Sequence, residues 1–388
     1  MSSFLSDPNS TPLIVLATTP LTFIVDRYFP SLSSPLSTPL TSSIRWMTSA
    51  TISGFLLSLP LRYEKLQMGT MIGCVVCFVG ALKTTQKLLF KDLREEKPKE
   101  EKKKERKNGV VREYISLIGE MFYPMLPLSS IPEEERRPMS ELILTAFAET
   151  IFAGGKYLLH PFLHLLMLKL TSSAPYDELP LTLRSAVAIA WCINIITGTW
   201  MTDLMSAWVP VLTFGHWRIQ AFHSYPALSS NVGDFWGKRY NLVISSFLRS
   251  AVYVPLRSRQ VTPSLSASAA FFASGVLHSY VAHFTFGTGA TSSLFFFLAH
   301  ALALSLERSL PQSQPHSLFS RVLTHPIGGR CVLWATMWST FSLYPGLFMR
   351  AMPQFLTGVN ALPASQLRVV DWAAVAIPGV KEFFGCVM

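Results

Sequence analysis

Apolar stretches recur along the chain, divided by short polar or proline-rich breaks. They fall at about residues 12–29, 44–61, 66–90, 140–170, 181–201, 242–256, 265–285, 291–306, 330–350 and 366–380. Asp371 and Pro378 interrupt the last of them. A spanning helix needs about 20 apolar residues, so 388 residues leave room for about eight helices with their loops. The pattern predicts an all-α, polytopic membrane protein: a bundle of about eight transmembrane helices in one integral domain over residues 1–388. No long polar segment offers a second core.

The breaks carry the topology. Residues 1–11 read as a disordered polar tail, and Phe29 to Thr41 as a Pro/Ser-rich loop. Residues 91–113 hold ten basic and seven acidic side chains, a solvated loop whose lysine excess places it in the cytosol. Residues 131–139 form a second charged linker on the same side. A helix then starts at Ser140, with Ser140 as its cap, Glu141 complementing its dipole, and a bend at Gly154-Gly155. The N-terminus shows neither a basic n-region nor a small-residue cleavage site, so no removable signal peptide is expected.

Composition supports this picture. Hydrophobic residues make up 49% and charged residues 14% of the chain, against roughly 25% charged in soluble proteins, and mean hydropathy is +0.34. The formal charge of +10 fits basic loops at membrane edges, and no motif points to nucleic acid. Five cysteines form no disulfide framework; Cys74 and Cys77 lie in an apolar run and read as packing. Asp203 reads as decoration at a membrane edge. His160 and His164, four apart, read as packing or cavity lining rather than as metal ligands, since no third ligand is near. The nine histidines scatter along the chain, unlike the clustered boxes of a di-iron hydroxylase. A transporter would show repeated or broken helices in matching halves, and no internal repeat is evident.

Polar chemistry concentrates in two segments. Residues 231–241 read NVGDFWGKRYN. As a short helix this places Asp234, Lys238 and Asn241 on one face, the first two at pairing distance, with Phe235 and Arg239 adjoining. Trp236 and Tyr240 suit a membrane interface. Residues 271–283 read FFASGVLHSYVAH and bury His278 in an apolar helix, with Gly275 permitting a close approach. An ionisable residue at such depth is a functional candidate by default, and desolvation favours its neutral, basic form. His283, nearer the end, ranks second. An embedded base with a carboxamide and cytosolic cations suits acyl transfer from a thioester to a hydroxyl: the base takes the hydroxyl proton as oxygen attacks the carbonyl. Cations at the cytosolic mouth would hold the phosphates of a CoA donor; Arg239, Arg257 and Arg259 are the candidates, and the sequence does not select among them.

DFWGKRYN, followed about forty residues later by GVLHSY, resembles the wax synthase-like branch of the membrane-bound O-acyltransferases. The resemblance is best over residues 204–345, which it marks as the catalytic region. Asp234, Phe235, Trp236, Gly237, Arg239 and Asn241 match the family motif, and His278 matches its catalytic histidine. Phe295 to Glu307 is similar to the aromatic helix that follows. Lys238 and Tyr240 stand where arginine and tryptophan are more usual, and Ser279 where plant relatives often carry glutamate. The resemblance implies an O-acyltransferase of the endoplasmic reticulum membrane with no resident cofactor or metal. Acyl-CoA would be its co-substrate and a lipophilic alcohol its acceptor. Asn241 would orient the acceptor or thioester, and Asp234 would hold the motif's helix. The chain leans towards acetyl transfer from acetyl-CoA to a terpenoid-type metabolite, with wax or sterol ester synthesis as the alternative.

Overall fold

In the computed structural model the described residues are 5–29, 38–65, 68–89, 114, 128–131, 133–172, 174–313, 317–358 and 364–377. The helices are α1 (Thr11–Tyr28), α2 (Pro39–Ser58), α3 (Met68–Leu89), α4 (Met139–Ser172), α5 (Leu181–Gly198), α6 (Trp200–Leu212), α7 (Leu242–Leu248), α8 (Val254–Ser258), α9 (Pro263–Phe286), α10 (Ala290–Ser313), α11 (Leu318–Thr324), α12 (Pro326–Thr340), α13 (Pro345–Gly358) and α14 (Ala364–Ala376); most fall on the apolar runs, and α11 falls between them. Among the described residues, five segments are long and apolar enough to cross a membrane: Gly69–Leu88, Met139–Thr171, Leu181–Leu212, Pro263–Phe286 and Ala290–Ser309. One short antiparallel ribbon, not foreseen from the sequence, pairs β1 (Leu128–Ser130) with β2 (Trp217–Ile219), Ser129 opposite Arg218.

Contacts divide the chain into two compact units. The first comprises Met1–Lys65, Gly69–Pro127 and Ile244–Arg308; the second comprises Leu66–Met68, Leu128–Val243 and Ser309–Met388. In the first unit, α1 to α3 pack Ile14, Val15, Ile52, Leu56, Val76 and Cys77 into one cluster. Cys74 joins Leu277 and Val281 of α9 in another, so both cysteines pack, as expected. Helix α2 begins where Thr38 and Thr41 form a reciprocal capping box ahead of Pro39. The second unit is built on α4 packed against α5 and α6.

Several boundaries differ from the sequence reading, each for a local reason. The tail expected to be disordered over residues 1–11 is structured from Leu5 on: Asp7 caps a 3-10 turn at Pro8–Ser10, and Thr11 bonds Tyr63 at 2.7 Å. Ser140 lies inside α4, whose first amides, Glu141 and Leu142, donate to the Pro138 carbonyl instead. α4 runs unbroken through Gly154-Gly155, because glycine permits a bend without imposing one. The 242–256 stretch is two short helices joined by a π-turn at Arg249–Tyr253; Pro255 has no N–H for the carbonyl four residues back, which favours the wider turn. The 330–350 stretch breaks before Pro345, which restricts the preceding residue. Asp203 is not edge decoration: it is buried and paired with Lys156 at 2.6 Å. The loop expected at 91–113 lies outside the described residues.

Candidate active site

In the second unit, the DFWGKRYN segment is a helical turn followed by a π-turn. Asn231 caps the turn, its Oδ1 accepting from the Asp234 amide at 2.7 Å. Asp234 returns the contact, its Oδ2 accepting from the Ser230 amide at 3.1 Å. Residues Phe235–Arg239 then wind with a π-helical repeat, closed by the Tyr240 amide on the Phe235 carbonyl at 2.8 Å. This winding changes the expected ion pair. A five-residue repeat sets i+5 rather than i+4 above position i, so Arg239, not Lys238, meets Asp234, Nε to Oδ2 at 2.8 Å. Lys238 is exposed. Desolvation alone would raise the Asp234 carboxyl, but the Ser230 amide and the Arg239 guanidinium outweigh it and hold it below its usual value.

The aromatic members pack on one another rather than spreading over a surface. Phe235 stacks on Tyr240 with centroids 4.9 Å apart, and Trp236 meets Tyr240 edge-on at 5.4 Å. Trp334 of α12 meets Phe235 edge-on at 6.1 Å. α12 comes close because of Gly329: a Cβ there would lie 2.6 Å from the Ser230 carbonyl oxygen.

The end of the motif is joined to the strand-like residues 222–224. Ser224 donates to the Arg239 carbonyl at 2.8 Å, and Leu242 to the Phe222 carbonyl at 2.9 Å. Between them, the Asn241 amide donates to His223 Nδ1 at 3.1 Å. The His223 ring lies 4.8 Å from that of Tyr240, and the residue is 5% exposed. Burial, and secondarily the Lys156 charge, lower its pKa to about 4, so it is neutral near pH 7. Sequence reading missed His223; its neighbours mark no periodic face, and its partner lies eighteen residues away.

His278 belongs to the first unit. Its helix is well delimited: Thr262 caps the start at Leu265, Pro263 stands at the first position, and Gly287 closes the end at φ +75°. His278 Nδ1 lies 2.7 Å from the Ser274 carbonyl. A carbonyl only accepts, so Nδ1 carries the proton and Nε2 presents the lone pair, the tautomer a general base requires. The imidazole packs 4.2 Å from Phe297 of α10. Gly275 admits α10 as foreseen; its Cβ would fall 2.8 Å from Leu294 Cδ1. His300 makes the same bond to the Phe296 carbonyl at 2.8 Å, but it is fully buried, whereas His278 is partly accessible. His283 is exposed. Arg257 donates to the Val261 carbonyl and so closes the turn after α8; Arg257 and Arg259 are both exposed. His160, in the second unit, bonds Asn194 and Thr197 of α5, each at 3.2 Å, and thereby ties α4 to α5.

Comparison with known proteins places these segments. The sequence profile described as the membrane bound O-acyl transferase family matches residues 217–299, a window holding Asp234 to Asn241, Arg257, Arg259 and His278. A probable long-chain-alcohol O-fatty-acyltransferase 1 of Arabidopsis thaliana is 28% identical over 156 residues, 37% of this chain and 45% of that protein. The long-chain-alcohol O-fatty-acyltransferase of Simmondsia chinensis is 28% identical over 129 residues, covering 31% and 36%. A probable long-chain-alcohol O-fatty-acyltransferase 9 of Arabidopsis thaliana reaches 40% identity over 63 residues, 14% and 18%. The chain thus spans less than half the length of these relatives. With five membrane-length apolar segments among the described residues, it is an integral membrane protein, and over residues 217–299 it is similar to the membrane bound O-acyl transferase family, wax synthase-like members among them.

Proposed function

We propose that the protein is an acyl-CoA-dependent O-acyltransferase that esterifies the hydroxyl of a lipophilic alcohol, in the endoplasmic reticulum membrane. The observation that carries this reading is His278: an imidazole within an apolar helix, held by the Ser274 carbonyl in the tautomer that leaves Nε2 basic. Nε2 takes the alcohol proton as the alcohol oxygen bonds to the thioester carbonyl carbon. Collapse of the tetrahedral adduct breaks the C–S bond, and the proton passes to the departing thiolate. Ester and free CoA are the products. Asn241 orients the acceptor or the carbonyl through its carboxamide. Asp234 and Arg239 hold the turn that presents Asn241, and the CoA phosphates take their cations from Arg239, Arg257 and Arg259.

The names of the relatives favour a long-chain alcohol as acceptor and a fatty acyl group as donor. The lean towards acetyl transfer onto a terpenoid is tested in the same assay. Microsomes carrying the protein or its His278→Ala form receive labelled palmitoyl-CoA or acetyl-CoA, with hexadecanol, sterols and terpenoid alcohols. We expect ester with the intact histidine and a loss of at least about a hundredfold without it. Equal turnover by a correctly inserted His278→Ala protein would refute the assignment.

A further inference from the structure

The second unit contains a cavity of about 790 Å³, lined by groups from α4, α6, the β2 segment and the loop that follows it. His223 is one of its walls. Because the Asn241 amide donates to Nδ1, the neutral ring must carry its hydrogen on Nε2. That Nε2 is buried and has no hydrogen-bond partner among the described residues. A buried donor without a partner is costly and calls for an acceptor.

The rest of the cavity says what kind of acceptor. Its lining carries Lys156 paired with Asp203 at 2.6 Å and Arg218 3.7 Å from Glu135, with Arg137, Glu149 and Lys238 beside them. Phe152, Ala153, Ala207 and Pro210 make apolar wall. A hydrocarbon body fits the apolar wall, and an uncharged oxygen meets the need of the Nε2–H. The helices that supply the walls lie in two of the apolar, membrane-length segments.

We infer that this cavity holds the oxygen-bearing head of the lipophilic alcohol, with the His223 Nε2–H donating to that oxygen. The choice of an alcohol rests on the acyl-transfer reading; the donor and the cavity do not. His223 then does two things with one ring: Nδ1 fixes the backbone of Asn241, and Nε2 receives the ligand.

The test measures binding apart from turnover. The purified full chain in nanodiscs, without CoA, is photolabelled with a diazirine-bearing hexadecanol, and labelled peptides are mapped. Label is expected on α4 and α6 peptides, displaced by hexadecanol but not by hexadecane. His223→Asn keeps an acceptor near the position of Nδ1 and removes the Nε2–H. It should weaken hexadecanol competition roughly five- to tenfold, the factor for one lost hydrogen bond, with an unfolding midpoint near that of the parent. Ala207→Phe adds a ring at the cavity wall, leaves residue 223 unchanged and should sharply reduce label there, which decides the matter if the asparagine variant misfolds. Label unaffected by both variants, or displaced equally by hexadecane, overturns the inference. Binding without turnover upholds the site and ends the reaction reading; turnover without label in the cavity ends the site alone.

Discussion

Asn241 stands at φ +46°, in the left-handed region that asparagine and glycine enter more readily than other residues. Asparagine therefore suits the turn whatever its carboxamide does, and the matched motif by itself does not separate the two roles. Asn241→Gly does, because glycine keeps the backbone and deletes the amide. The glycine protein should insert normally and melt within about 1 kcal/mol of the parent, while ester formation falls roughly a hundredfold, the usual effect of removing one positioned donor. Turnover within about twofold of the parent would reduce Asn241 to a turn residue. A similar separation applies to the histidines. His278 and His300 share the same bond to the carbonyl four residues back, and only their differing exposure distinguishes a reactive ring from a packed one.

At the level of elements, helix ends in the first unit depend on Arg45, which is 1% exposed. Its guanidinium donates to the carbonyls of Leu88 at 2.7 Å and Phe29 at 2.8 Å, with longer contacts to those of Val25 and Lys87. Those of Phe29, Lys87 and Leu88 lie at the C-terminal ends of α1 and α3, where carbonyls lack intrahelical partners; that of Val25 also accepts from the Phe29 amide at 3.2 Å. Nη2 also meets Asp26 at 3.2 Å. One planar fork thus closes two helices and neutralises a largely buried carboxylate. Arg45→Ala strands the Leu88 and Phe29 carbonyls, while Val25 keeps the Phe29 amide and Asp26 keeps Lys87 at 3.6 Å, so it should cost about 3 kcal/mol, the low end for breaking a buried pair from one side. Thermal unfolding in detergent reads the change. Arg45→Lys should recover little of it, since an ammonium lacks the geometry to reach both helix ends.

At the scale of the molecule, the apolar surface has to meet lipid. α4 is apolar on nearly every face, and Leu144 and Ile151 are about three-quarters exposed, at 74% and 76%. At 1.5 Å per residue its 34 residues reach about 50 Å, more than the roughly 30 Å hydrocarbon core, so the helix accommodates tilt or projects beyond the core. Ile151→Arg puts a charge on that face near the middle of the segment, at a cost of about 2.5–3.5 kcal/mol on insertion scales. The fraction of protein resisting carbonate extraction should drop sharply, whereas Arg218→Ala, at an exposed rim position, should leave it unchanged. Equal extraction of the two variants would remove α4 from the lipid boundary.

The sequence by itself determined what depends on neighbours along the chain. Apolar runs of sufficient length form helices because a bilayer-length segment must satisfy its own backbone, and His278 was legible as a polar group inside one such run. The motif's residue types were legible as well, because the turn they form is local. Tertiary structure decided the partners. A π-turn, invisible to a 3.6-residue period, gave Asp234 to Arg239 instead of Lys238. Arg45 reads as an ordinary basic residue at the start of the 44–61 stretch, and only the convergence of two helix ends makes it a buried clamp. His223 carries no signal in its own neighbourhood; its role arises where a loop crosses the end of the motif and a cavity opens behind it. Period and hydropathy act over a few residues, whereas a hydrogen bond between groups far apart in sequence exists only once the chain has folded.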